Sequence, residues 1–229
     1  MIWNGNFETG NLSQYSEDVQ CAAAGRAQVV DAPVRRGRHA VRLHVEQGDV
    51  VLTQGSDRCD LYVYRPETLG VEGREQWWAW STLFPKDFHP TPDTDWNVVQ
   101  DFHNSGSAGM ANTMITVNTI GRRPMLQLSV FGGDPAHPSE LRRNVAPLSL
   151  DRWYDFVFHV RWSSDAGTGF VQLWINRRLV FPLRHLATLY PGQTTYFKLA
   201  NYRPSYALGS SVIDDEVRLA RTRSALRAR

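Results

Sequence analysis

The stretch that most constrains the fold is residues 151–181, DRWYDFVFHVRWSSDAGTGFVQLWINRRLVF. Tyr154, Phe156, Phe158, Val160 and Trp162 alternate with Asp155, Val157, His159 and Arg161. A period of two predicts a strand with one buried face, not an amphipathic helix. A Ser-, Asp- and Gly-rich loop follows at 163–169, and the next strand, 170–175, sets Val171, Leu173 and Ile175 against Phe170, Gln172 and Trp174. Asn176-Arg177-Arg178 then reads as a tight turn, because Asn tolerates positive φ, and 179–181 starts back. This meander of three strands anchors a sheet through its aromatic side chains, each of which buries a large apolar area. Val160, Trp162, Val171, Leu173 and Ile175 are the predicted core positions.

The rest of the chain repeats the pattern in short runs. Strands are predicted at 26–31, 39–47, 49–54, 58–64, 76–84, 95–103, 114–117, 124–131, 195–203 and 211–219, with a long loop at 132–147. Helical spacing is weak and confined to 182–190 and 220–229. Many short strands separated by turn residues predict an all-β fold, a β-jelly roll of two antiparallel sheets. With 229 residues and no Pro/Gly/Ser-rich linker, the expectation is a single domain over 1–219 followed by an Arg-rich tail, 220–229.

A formal net charge of +2 is too small to imply nucleic acid, and no apolar run is long enough for a membrane span. The chain opens Met-Ile-Trp-Asn-Gly, without the basic and apolar segments of a signal peptide. Cys21 and Cys59 can pair in an oxidising compartment; separate buried thiols are the favoured expectation.

Three predicted strands carry ionisable groups at a spacing of two. Arg58 and Asp60 share a face, with Cys59 and Leu61 on the other; Asp101 and His103 share one, opposite Gln100 and Phe102. Lys198, Ala200 and Tyr202 share another, opposite Leu199 and Asn201. A curved sheet would bring the three sets into one groove. These residue types suit elimination from a uronic acid without a metal. Arg58 and Lys198 supply positive charge for the substrate carboxylate. His103, of a type that titrates near neutrality, and Tyr202 supply a base and an acid. A glycoside hydrolase needs two carboxyls flanking the bond. Asp214 and Glu216 share a face, but their strand reads as a closing edge strand, away from the groove. No GxSxG elbow, P-loop or dinucleotide fingerprint is present.

The segments WNGNFETGNLSQY, APVRRGRHAVRLHV, DRCDL, WWAWSTLFPKDF, DWNVVQDFH, DRWYDFVFHVRWSS, GFVQLWINRRLV and YFKLANYR occur in that order. In sequence and spacing the chain, from Trp3 to Leu219, resembles the jelly-roll polysaccharide lyases of the heparin lyase I-like and glucuronan lyase-like group. The resemblance implies β-elimination on an acidic polysaccharide. It places Arg58 in the groove against a substrate acid group, His103 as the base or its partner, Lys198 as an anion binder, and Tyr202 as the acid or as both acid and base. Asp101 stands where the family usually has the Gln that contacts the uronate carboxylate, with Gln100 one residue away, and Asp60 stands for a longer Glu. The resemblance implies no required cofactor. It does suggest a structural calcium, for which Glu8 and Asp214 or Asp215 offer oxygen ligands.

A second reading is a non-catalytic glycan-binding or structural module of a larger particle, such as a bacteriophage decoration or tail protein. An extracellular or virion-associated protein is expected under either reading. The tail carries arginines and few apolar residues. It is expected to dock against an acidic partner or a neighbouring copy, the alternative being that it lies back across its own sheet.

Overall fold

A computed structural model describes residues 1–107 and 109–227. The first strands are β1 (Trp3–Gly5), β2 (Gln20–Cys21), β3 (Ala27–Val30), β4 (Ala40–Val45) and β5 (Ser56–Val63). β6 (Glu75–Phe84), β7 (Asn97–Asn104), β8 (Thr113–Asn118), β9 (Met125–Gly132) and β10 (Ser139–Pro147) follow. The last are β11 (Arg152–Arg161), β12 (Phe170–Ile175), β13 (Arg178–His185), β14 (Thr195–Pro204) and β15 (Ser210–Ala220), before a short helix, α1 (Arg223–Arg227). One sheet runs β13-β12-β11-β6-β15-β4-β3, with β1 paired to β15; the other runs β10-β9-β8-β7-β14-β5-β2. The described pairings are antiparallel. The two sheets form the expected sandwich.

Between the sheets lies one aromatic core. Trp78 stacks on Phe197 with ring centroids 4.8 Å apart, and Trp80 on Phe156 at 4.9 Å. Phe102, Phe158 and Trp162 complete it, and all five predicted core residues of the meander are buried. Each such ring removes roughly 150–250 Å² from water, about 4–6 kcal/mol at about 25 cal/mol per Å². The alternation in β11 therefore decides which way the whole sheet faces.

Several expectations are corrected. Residues 139–147 are an edge strand rather than loop; β10 is mostly exposed, and its Leu141, Val145 and Ala146 touch the core without a regular alternation. Residues 182–185 belong to β13, where an edge position tolerates Pro182, and not to a helix. Residues 49–54 form bends and a turn instead of a strand. β15 is no edge: it sits between β6 and β4 with its acids buried. Asp214 accepts a 2.6 Å hydrogen bond from Thr82 Oγ1, and Asp215 Oδ2 accepts from the backbone amides of Arg35 and Arg36 at 2.8 and 3.1 Å. Burial pushes Asp214 up to about 8 and Asp215 up to about 6.

The cysteines are not separate thiols. Cys21 and Cys59 face each other across β2 and β5 and form a disulfide, S–S 2.00 Å. The tail, in its described part, lies back across its own sheet. Leu226 is buried with Ala79 and Ala220, and the Arg223 guanidinium sits 4.1 Å over the Trp174 ring. Ala228 and Arg229, also part of the predicted tail, lie outside the described residues.

Candidate active site

β5, β14 and β7 are neighbours in the seven-stranded sheet. Arg58 lies opposite Tyr202 and Asp60 opposite Ala200; Lys198 faces Asp101 and Tyr196 faces His103. Directly opposed residues share a face. The intervening Leu61, Phe102 and Leu199 fill the core, so the ionisable set occupies the outer face, as the spacing of two predicts. Arg58, Asp101, His103, Lys198 and Tyr202 are thus gathered on one strip.

Contacts knit the strip together. Lys198 Nζ donates to Asp60 Oδ2 at 3.1 Å and to Gln20 Oε1 at 2.8 Å. Arg58 Nε stands 3.7 Å from the same Asp60 oxygen, and its guanidinium carbon lies 3.7 Å over the Tyr202 ring. Trp96 packs edge-on to Tyr202 at 5.0 Å. At the other end His103 lies 5.6 Å from Tyr196, which also touches Tyr62 and Tyr64. His103 Nδ1 is 2.9 Å from the Asn104 carbonyl oxygen. A carbonyl only accepts, which assigns a proton to Nδ1 and leaves Nε2 of the neutral ring as the acceptor a general base needs.

The charges of the strip are nearly buried: Asp60 is 1% exposed, Lys198 2%, Asp101 5% and Arg58 8%. Burial opposes the Lys198 ammonium, but the Asp60 and Asp101 carboxylates outweigh it and hold its pKa above the ordinary lysine value. Burial raises the Asp101 pKa, and the attraction of Lys198, His103 and Arg58 does not cancel it. Asp60 Oδ1, Asp101 Oδ1 and Arg58 Nε have no hydrogen-bond partner. Buried polar atoms left open on a face that already holds an ion-pair network are costly, and water or a bound ligand completes such groups.

Gln100 is not part of this set. It pairs with Ile115 and Leu199, both core residues, and its buried amide has no hydrogen-bond partner. A register shift does occur in β7, between Val98 and Gln100, but it precedes Gln100 and leaves the alternation from Gln100 to His103 intact. Tyr62, Tyr196 and Gln20 were missed by sequence reasoning. The two tyrosines fall on the same period of two as Arg58 and Lys198; nothing local marks Gln20, which the Cys21–Cys59 bridge brings alongside β5. His103 and Tyr202 are about six register positions apart. That is roughly 20 Å along a straight strand: Tyr202 packs against Arg58 and Trp96 at one end of the strip, and His103 against Tyr196 at the other.

For a metal, Glu8 Oε1 already accepts from the backbone amides of Arg38 and His39 at 2.9 and 3.0 Å. Asp214 is bonded to Thr82. Among the described residues no three of His, Cys, Asp or Glu stand together as a metal site would require. This donor set does not fit a calcium ion.

The polysaccharide lyase family model matches residues 7–218. No curated protein sequence matches the chain. Among solved structures, the endo-β-1,4-glucuronan lyase of the fungus Trichoderma reesei superposes with a TM-score of 0.77 at 19% identity, covering 96% of this chain and 95% of that one. An alginate lyase from Pseudomonas aeruginosa gives 0.59 at 15% identity over 87% of each chain. The catalytic domain of a glycoside hydrolase family 131 protein from Coprinopsis cinerea gives 0.62 at 14% identity, covering 97% and 95%. One sandwich thus hosts both lyases and a hydrolase, so chemistry has to be argued from the strip.

Proposed function

Because the chain belongs to the polysaccharide lyase family, we propose that it cleaves a uronate-containing glycan by β-elimination on the outer face of the seven-stranded sheet. Arg58 and Lys198 bind the substrate carboxylate and stabilise the charge that develops as the neighbouring C–H proton leaves. The Tyr202 oxygen, acting as a phenolate beside the Arg58 guanidinium, takes that proton. The electron pair forms the new C=C bond, the C–O bond to the leaving sugar breaks, and Tyr202 gives the proton to the departing oxygen. The products are an unsaturated uronate end and a new hydroxyl end.

Asp101 completes the carboxylate site. An ionised Asp101 would repel the substrate, but burial favours its neutral form. A protonated carboxyl donates one hydrogen bond, the service an amide would give at this position. The observation that carries the reading is the buried Lys198–Asp60–Arg58 network with Tyr202 stacked on its guanidinium and open polar atoms beside it.

We rank polyglucuronate ahead of alginate and heparin as substrate. Two cations already shared with Asp60 suit one carboxylate per sugar better than a sulfated chain, and the likeness to the glucuronan lyase supports the same order. The Cys21–Cys59 disulfide supports an extracellular site of action. The tail, docked on its own sheet, gives no support to a role in a larger particle. Incubation with these three polysaccharides tests the proposal: ultraviolet absorbance from unsaturated uronate ends is expected with polyglucuronate. Its absence with all three would remove the lyase reading.

A further inference from the structure

The face opposite the strip carries a cavity of about 440 Å³ that the elimination chemistry does not use. Five arginines line it, Arg35, Arg36, Arg177, Arg218 and Arg223, against two carboxylates, Asp155 and Glu216, a formal balance of +3. We propose that this cavity is a second binding site for the acidic glycan, taking the carboxylates of a short uronate segment; the ligand class rests on the substrate reading above.

The walls are held in place by contacts that leave positive charge in surplus. Arg35 grips Asp155 with two hydrogen bonds of 2.7 Å, and Glu216 is shared by Arg218 at 3.0 Å and Arg36 at 3.9 Å. Both acids are thereby committed to protein partners. Asp215 fixes the Arg35–Arg36 backbone from beneath. The register shift between Asp215 and Arg218, with Glu216 at φ 57°, lets β15 form one wall of the cavity. Trp174 orders the Arg223 guanidinium across its ring, so α1 contributes to the cavity as well as to the small core around Leu226.

Arg177 is the most telling residue. It is exposed and adds a longer-range attraction to Asp155. It lies at φ 69° beside Asn176 at φ 50°, in a two-residue turn whose second position ordinarily asks for glycine. A side chain kept in a strained backbone position is a pointer to use. Planar guanidinium forks match carboxylates in pairs, and about 440 Å³ falls in the range of sites for small ligands, roughly 300–1,000 Å³. A neighbouring cavity of about 550 Å³ shares Arg36, Glu216 and Arg218, so a longer chain has somewhere to continue. Such a site would tether the protein to the polymer it cuts and raise the effective concentration of substrate at the strip.

The test is calorimetric titration of the Tyr202→Phe protein with a glucuronate tetrasaccharide. Two sites per chain are expected. Adding Arg177→Gly or Arg223→Ala should weaken one of them roughly tenfold, the loss of about one charged hydrogen bond, and leave the other unchanged. Lys198→Met should do the reverse. Arg177→Gly should keep or raise the melting temperature, which separates lost binding from lost folding. A single site indifferent to Arg177→Gly and Arg223→Ala overturns the proposal, as does the absence of any binding heat. Two sites of which Lys198→Met weakens neither would uphold the cavity and remove the strip as a glycan site.

Discussion

Two buried charge clusters lie along β5 and β14, the second reaching Asp101 on β7, and their hydrogen-bond accounts are opposite. Asp57 and Arg203 face each other at one end of the pair. Asp57 Oδ1 accepts from Gly48 N at 2.9 Å and Ser205 Oγ at 2.8 Å; Oδ2 accepts from Tyr206 N at 3.1 Å and Arg203 Nη2 at 3.4 Å. Arg203 also donates to the carbonyls of His89 and Leu208, leaving only its Nε without a partner. A few residues along, Lys198, Asp60, Arg58 and Asp101 are buried to a similar degree, yet both carboxylates keep an oxygen without a partner. Burial of charge therefore does not separate structure from function in this protein. The cluster completed by protein groups holds the fold, and the cluster left open on one face is the one the lyase proposal gives to the substrate.

The comparison breaks if the two clusters respond alike to mutation. Asp57→Ala strips Arg203 of its counter-charge, and a loss of about 3–5 kcal/mol is expected in chemical denaturation, with the activity of the folded fraction unchanged. Lys198→Met should instead lower kcat/KM by about 10²–10³-fold, the usual effect of removing one charge-stabilising donor. Its stability cost should be smaller than that of Asp57→Ala, since Arg58 remains 3.7 Å from Asp60. Cys21→Ser frees β2 and with it Gln20, the other partner of Lys198; a loss of about 2–4 kcal/mol is expected on thermal unfolding.

The smallest effect sharpens the account of Asp101. Its pKa is raised in the folded protein. As pH climbs above the ordinary carboxylate value the unfolded chain ionises first, so stability falls until the raised value is passed. Substrate binding should weaken over the same rise as Asp101 loses its proton. Asp101→Asn keeps a donor at every pH, so pH–rate and pH–stability profiles should both lose that decline with rising pH, with activity at the optimum within a few-fold of the parent.

Much of this was legible in the sequence. The alternation at 154–162 and 170–175 located β11, β12 and the core, and the spacing of two put Arg58, Asp101, His103, Lys198 and Tyr202 on one face, where the structure has them. What was hidden depends on neighbours distant in the chain. β10 and β13 are largely exposed edge strands, and the few apolar residues they lend to the core, such as Leu141 and Phe181, do not make a regular period. β15 carries adjacent acids that suggest solvent, yet Thr82 and the Arg35–Arg36 amides meet them inside the molecule. The cysteines face each other only because β2 pairs with β5. Gln100 lies one position from the strip, and a shift of one position in a strand reverses the face.

The claim that the strip is a lyase site is tested most directly by Tyr202→Phe, assayed on polyglucuronate by the absorbance of unsaturated ends. The substitution removes one hydroxyl and keeps the ring under Arg58. Turnover should fall about 10²–10⁴-fold with the melting temperature and tetrasaccharide affinity of the strip nearly unchanged. Turnover within a factor of a few of the parent would contradict the account.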